Sequence, residues 1–213
     1  MFITFEGPEG SGKSTQARRL VARLREGGQR VILTREPGGT RAGGAIRAIW
    51  DDPVRRDLLP LTDLLLICAD RAQHVAELIR PALKRGEIVI SDRYADSTRA
   101  YQGAGSGLAP ATVETLLQIA TGGLVPDLTL LLNLPPAEGL ARRHASERAG
   151  RSKLDRLDQR SLKYHQRVYA AYQYLAAQEP ERWVSFDARQ PIETLEEAIW
   201  QTVQVRLKKF VGE

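Results

Sequence analysis

Short runs of β-branched and aliphatic residues alternate along this chain with longer stretches whose apolar positions recur at helical spacing. Phe2–Glu6 is an apolar run ending at a glycine-rich turn, after which residues 14–25 place Ala17, Leu20, Val21 and Leu24 on one helical face. Gly27 and Gly28 stop that helix, and 30–34 (RVILT) reads as a second strand. A Pro/Gly loop, 35–40, leads into a short helical stretch ending near Asp51. Residues 61–84 predict a helix that is apolar nearly all round at its start and kinked or restarted at Pro81. Residues 87–91 (EIVIS) are the third strand, 110–120 a helix opened by proline, and 128–132 a fourth, buried strand. The pattern continues with a helix from Pro135-Pro136 to about His144, a polar Arg-rich segment at 145–153, and a long helix over 155–177. A short strand at 183–186 and a closing helix at 194–209 complete it.

Five strands alternating with helices predict an α/β fold, an open five-stranded parallel sheet with helices on both faces. Ligands of such sheets bind beyond the carboxyl ends of the strands. The unusual loops after strands one, two and three all open onto that edge, so the site can be placed before its chemistry is known.

With 213 residues and about 150 per typical domain, a single domain over 1–213 with an inserted lid at about 142–155 is expected. Hydrophobic residues at 42% and charged residues at 27% match ordinary globular usage, which excludes a disordered chain. The longest apolar run is the six residues from Leu64 to Ala69, far below the roughly 20 of a membrane-spanning helix. The start MFITFEGPEG lacks a basic, apolar leader, and the single cysteine, Cys68, can close no intrachain disulfide. Together these predict a cytoplasmic protein with no membrane partner.

Charge changes the picture more than composition does. Basic residues number 31 against 26 acidic, and 25 of the 31 are arginine. Most are expected on solvated helix faces, yet the arginine fork also matches phosphate oxygens. A nucleic-acid reader would show a contiguous basic stripe with interleaved aromatics. Here aromatics are 6% and acids interrupt most basic clusters, so a nucleic-acid partner is not expected. The basic tail 206–209 reads as a helix C-terminus that offsets its dipole.

The first loop, Gly7-Pro8-Glu9-Gly10-Ser11-Gly12-Lys13-Ser14 followed by Thr15, is a full match to G-x-x-x-x-G-K-[ST] between a strand and a helix. Its backbone N–H groups and the helix N-terminus suit a polyphosphate. Lys13 would reach the terminal phosphates, and the Ser14 hydroxyl would ligate Mg2+. A guanine-specific switch needs N-K-x-D, but the only asparagine, Asn133, is followed by leucine. A motor-type ATPase usually carries an acidic pair after an apolar strand, whereas this strand ends Ser91-Asp92-Arg93, with a cation where the water-activating carboxylate would stand. The site is better suited to holding a second anion. Joining two anionic nucleotides requires several cations and no general base, because a phosphate monoester is already largely ionised at neutral pH. Arg35, Arg71 and Arg93 lie at strand ends or in a buried helix, and Arg148, Arg151 and Arg156 lie in or beside the lid. A bare buried guanidinium is costly, which favours a bound anion there.

Over nearly its whole length the chain resembles the bacterial thymidylate kinases. The resemblance is carried by the GPEGSGKS loop, by 34–40 (TREPGGT), 69–74 (ADRAQH), 92–94 (DRY), 100–103 (AYQG) and 154–156 (LDR). It implies transfer of the γ-phosphoryl of ATP to dTMP, with Mg2+, in a homodimer. By position, Arg35 and Arg93 would hold the acceptor phosphate, Arg71 with Gln102 or Thr98 would read the thymine edge, and Tyr101 would pack near the deoxyribose. Ser97 would line the same acceptor site. Glu9 would face the acceptor sugar and the metal, and Asp92 would hold a metal-bound water. The P-loop contains no arginine, so the resemblance assigns the catalytic finger to the lid, at Arg151, beside Lys13, Arg93 and Glu9. Two positions depart from the family pattern. Ile67 stands where a phenylalanine usually stacks on thymine, and Ser106 where an arginine is common. Ile67 makes a kinase for another nucleoside monophosphate, such as dUMP, the alternative reading; a nucleic-acid-dependent P-loop ATPase is the rival from another class. Trp50, Trp183 and Trp200 are expected to be packing residues, and His74, His144 and His165 show no metal-ligand spacing.

Overall fold

The computed structural model describes residues 1–52 and 58–211. In chain order the strands are β1 (Phe2–Glu6), β2 (Val31–Arg35), β3 (Ile88–Asp92), β4 (Leu128–Asn133) and β5 (Trp183–Asp187). The helices are α1 (Lys13–Glu26), α2 (Arg41–Trp50), α3 (Pro60–His74), α4 (Arg80–Lys84), α5 (Ala95–Thr98), α6 (Pro110–Thr121), α7 (Pro136–Arg148), α8 (Leu162–Gln178) and α9 (Ile192–Val211). All strand pairs are parallel, in the order β2-β3-β1-β4-β5. The five strands and their parallel arrangement are those the sequence predicts.

Alternation along the strands decides which side each residue serves. Ile3 and Phe5 of β1, with Leu128, Leu130 and Leu132 of β4, join Leu20 and Leu24 of α1 and Ile199 and Val203 of α9 in one core. Phe2 points the other way, into Leu64 and Cys68 of α3 and Val113 and Leu117 of α6. Tyr164, Val168 and Tyr172 of α8 build a third cluster around Tyr101 and Leu131. Cys68 is buried, as a core residue should be.

Several element boundaries differ from the sequence reading for identifiable reasons. The 61–84 helix begins as α3, widens into a π-helical turn at Val75–Ile79 and tightens again into α4. Pro81 has no N–H and would clash with the carbonyl four residues back, so the wider turn accommodates it without ending the helix. Helix α7 runs to Arg148 instead of about 144, because nothing stops it before Gly150, at φ +66°. The first half of the expected lid is therefore regular helix. The long helix expected from 155 starts only at Leu162, capped by the Ser161 hydroxyl accepting from Tyr164 N. Before it, Asp155 Oδ1 accepts from the amides of Leu157 and Asp158, a side-chain turn that competes with helix. Helix α5 and the π-helical stretch Arg99–Gly105 were not anticipated.

One close approach fixes the P-loop against the rest of the fold. A Cβ on Gly10 would lie 2.3 Å from Gly139 O, and one on Gly139 would lie 2.3 Å from Glu9 O. The first turn of α7 thus rests backbone to backbone on the loop, which only glycine at both positions permits. Gly139→Ala is expected to force the two apart, costing about 1–3 kcal/mol as overpacked sites do, read as a lowered Tm.

Candidate active site

The carboxyl edge of β1, β2 and β3 carries the site. From Glu6 the chain turns through the glycine loop, passes Gly12 at φ +90° and enters α1 at Lys13. Ser11 Oγ donates to Pro8 O at 2.9 Å, and Lys13 Nζ folds back on the same carbonyl at 2.7 Å. Lys13 is buried. Burial and the nearby Arg93 charge pull its pKa down to about 8, against the pull of Asp92, Glu9 and Glu6. A polyphosphate in the loop would supply the missing counter-charge. Ser14 Oγ donates to Asp92 Oδ2, joining two of the three predicted metal positions, the third being Glu9. An all-oxygen pair with a single carboxylate suits Mg2+, which keeps several waters and takes further oxygens from phosphates.

Two adjoining cavities open at this edge. The larger, about 320 Å³, is lined by Gly10, Gly12, Lys13, Ser14, Thr15, Arg35, Arg47, Asp92 and Arg143 among others. The smaller, about 40 Å³, is lined by Ile67, Arg71, Tyr94, Ser97, Thr98, Tyr101 and Gln102. Glu36, Pro37, Trp50, Arg93 and Leu157 belong to both walls. Arg35, Arg71 and Arg93 therefore do converge on one edge, beside the glycine loop. Trp50, expected to be a packing residue, is part of the wall and lies under the Arg156 guanidinium, 5.4 Å from its ring centroid.

Arg93 sits where the cavities meet. It holds φ at +72°, the only non-glycine positive φ among the described residues, a conformation sustained only when surrounding contacts over-determine it. Those contacts are present. NH1 donates to Gly7 O, Ser97 Oγ and Tyr172 OH at 3.1–3.3 Å, and NH2 donates to Tyr101 OH at 3.0 Å and Glu9 Oε1 at 3.3 Å. Tyr101 OH in turn donates to Glu9 Oε1 at 2.6 Å, and His165 Nδ1 stands 3.2 Å from Glu9 Oε2. Burial alone would raise the Glu9 pKa, but His165, Arg93, Lys13 and Tyr101 hold it down at about 2. Glu9 Oε1 is thus tied to the Arg93 network, while Oε2, buried beside His165, has no hydrogen-bond partner.

Glu6 was not singled out as a site residue. It is fully buried at the end of β1, accepting from Tyr94 N at 2.8 Å, Ser97 Oγ at 2.6 Å and Tyr172 OH at 2.9 Å. Burial and the Asp96 charge push its pKa up to about 7, against Ser97, Arg93 and Tyr172. The available signal was an acid ending an otherwise apolar central strand.

In the smaller cavity, Ser97, Thr98, Tyr101, Gln102 and Ile67 gather as expected. Arg71 does too, but it is not bare. Its Nε donates to Glu36 Oε2 at 2.7 Å, NH1 to Thr98 Oγ1 at 2.9 Å and NH2 to Tyr94 O at 3.0 Å. Glu36, which also meets His74 Nδ1 at 2.8 Å, supplies the counter-charge, so the burial of Arg71 does not itself demand a bound anion. Arg35 is different. It is exposed and makes no ion pair among the described residues, and desolvation together with Arg47 pulls its pKa down. Of the lid arginines, Arg148 and Arg151 are exposed and line neither cavity, while Arg143, unanticipated, reaches the larger one, paired with Asp158 at 2.6 Å.

Comparison with known proteins agrees with this architecture. Residues 5–199 match the family model for thymidylate kinase. The chain belongs to the thymidylate kinase family. It is 51% identical over 208 residues to the thymidylate kinase of Thermomicrobium roseum, covering 98% of this chain and 96% of that one. To the Deinococcus radiodurans thymidylate kinase it is 50% identical over 206 residues, covering 97% of each. The crystal structure of thymidylate kinase from Ehrlichia chaffeensis superposes with a TM-score of 0.77 at 30% identity, covering 96% of this chain and 98% of that chain. As a member of this family the protein is a phosphotransferase with the P-loop nucleoside monophosphate kinase fold.

The Glu6 carboxyl makes folding pH-dependent. A free glutamate titrates near 4.5 and the folded one near 7, so the native state holds a proton that the unfolded chain releases. Stability from this group is complete below pH 4.5 and is lost as pH rises to 7, by roughly 3 kcal/mol in total. Glu6→Gln, which keeps the shape, is expected to flatten that slope in denaturant titrations at pH 4.5 to 8.

Proposed function

We propose that this protein transfers the γ-phosphoryl group of ATP to dTMP, giving dTDP and ADP, for dTTP synthesis. The observation that carries the reading is the pair of cavities sharing Arg93, one against the glycine loop and one beside the Arg71, Thr98 and Gln102 wall. ATP would lie with its phosphates on residues 7–15, and dTMP would place its base in the smaller cavity and its phosphate between Arg35 and Arg93. Repulsion between two polyanions opposes their meeting, and fixed guanidinium groups and Lys13 offset it without any reorganisation at the moment of transfer. Ser14 and Asp92 would hold Mg2+, whose charge would neutralise phosphate oxygens when bound. Tyr101, packed face-on against Arg93 at 4.7 Å, would border the deoxyribose. Ile67 is buried on the cavity wall, where an aliphatic side chain still covers a base face.

The chain is read as one domain over 1–213, with the lid formed by the end of α7 and the segment up to about residue 155. Arg151, exposed on the turn after α7, would close over the phosphates as a finger in cis. The enzyme is read as cytoplasmic and homodimeric; no helix among the described residues is long and apolar enough to cross a membrane.

Assayed side by side with Mg2+ and ATP, dTMP is expected to be preferred over dUMP, dCMP and AMP; a clear preference for any other acceptor overturns the assignment. Arg151→Ala is expected to lower kcat at least tenfold with little change in the KM for dTMP. Unchanged kcat would move the finger role to Arg148, Arg156 or Arg143.

A further inference from the structure

Gln102 and Asp63 come together from separate elements. Asp63 lies in the first turn of α3 and Gln102 in the π-helical stretch Arg99–Gly105, and both are buried, at 4% and 3% exposure. Gln102 Nε2 donates to Asp63 Oδ2 at 2.8 Å. The second carboxylate oxygen accepts from Arg156 NH2, and Arg156 Nε donates to Trp50 O at 3.1 Å.

The polarity of this arrangement is compulsory. A carboxylate paired with a guanidinium only accepts hydrogen bonds, so the amide beside it must offer its NH2. The Gln102 carbonyl is then turned away from Asp63, and no described residue donates to it. Gln102 lines the smaller cavity. A side-chain amide is otherwise ambivalent, able to present either a donor or an acceptor to a nucleobase. Here the buried ion pair removes the choice.

We infer that Asp63 is a positioning residue that sets the hydrogen-bond polarity of the base pocket. By holding the Gln102 carbonyl as an acceptor opposite ring N3, it admits pyrimidines with an N3–H, thymine and uracil, and repels cytosine, whose N3 is itself an acceptor. Arg156 extends the same contact to the 154–158 segment, whose Leu157 lines both cavities, so base recognition and lid placement share one carboxylate. The inference rests on dTMP as acceptor.

The test is steady-state kinetics of the full-length enzyme with dTMP and with dCMP at saturating ATP and Mg2+. Asp63→Asn allows the Gln102 amide to turn over. The KM for dTMP is expected to rise about tenfold or more, with the loss falling on KM more than on kcat, and the dTMP over dCMP preference in kcat/KM to narrow about tenfold. Asp63→Glu, still an acceptor only, is expected to restore the preference. If Asp63→Asn does not fold, the double variant Asp63→Leu/Arg156→Met leaves no unpaired buried charge and is expected to show the same narrowing. An unchanged preference in the variant overturns the inference, and so does a parallel loss for both substrates with a lowered Tm, the signature of a purely structural role. Wild-type enzyme that ignores dTMP would overturn the acceptor assignment itself; unaltered selectivity in an enzyme that uses dTMP overturns only the role of Asp63.

Discussion

Everything at the active edge answers to one constraint, the mutual repulsion of two nucleotide phosphates that must come within bonding distance. Cations have to be fixed in place beforehand, and fixing a cation inside a protein requires counter-charges that do not cancel its use. Arg93 shows the solution. Its backbone is held in a left-handed conformation and its guanidinium is held by Glu9, Tyr101, Ser97, Tyr172 and a P-loop carbonyl, so that it stands at the junction of two cavities. A free arginine side chain loses conformational freedom on binding an anion, and here much of that loss has already been met in folding.

The cost is carried by acids in two states. Glu9 is ionised, kept so by four surrounding donors and cations despite its burial, whereas Glu6, at the end of β1, holds its proton up to about pH 7. This division follows from position. Glu9 lies on the loop among Lys13, Arg93 and His165, while Glu6 lies within the sheet beside Asp96 and receives a backbone amide and two hydroxyls. Two carboxylates a few residues apart thus serve different ends, one balancing charge and the other organising Ser97 and Tyr172, which themselves meet Arg93.

A second buried pairing, Arg71 with Glu36, shows how a guanidinium on the wall of the smaller cavity is accommodated. Burying a guanidinium requires either a ligand or an internal partner, and the TREPGGT loop brings its own carboxylate for the purpose. Arg71 consequently anchors the loop to α3, with His74 and Asp70 contributing through Glu36 and the Gly38 amide. Arg35, at the start of that loop, has no such partner among the described residues.

The strands, their parallel arrangement and the position of the phosphate loop were legible in the sequence because they depend on local periodicity and on a glycine pattern with a fixed backbone geometry. The convergence of Arg35 and Arg93 was legible for the same reason, since both follow from where β2 and β3 end, whereas Arg71 reaches the same edge from helix α3. The start of α8 was not, because the Asp155 side chain forms a turn that competes with the helix until Ser161 caps it, and the outcome depends on Asp158 finding Arg143. Nor were the roles of Glu6, His165 and Asp63. Each acts through a partner 40 to 170 positions away or so in the chain, and a side chain's charge state and hydrogen-bond polarity are set by whatever the fold packs against it. Sequence determined which groups were present and at which edge they emerge; tertiary structure alone decided which would be neutralised within the protein and which left for a ligand, because electrostatic pairing acts across space and not along the chain.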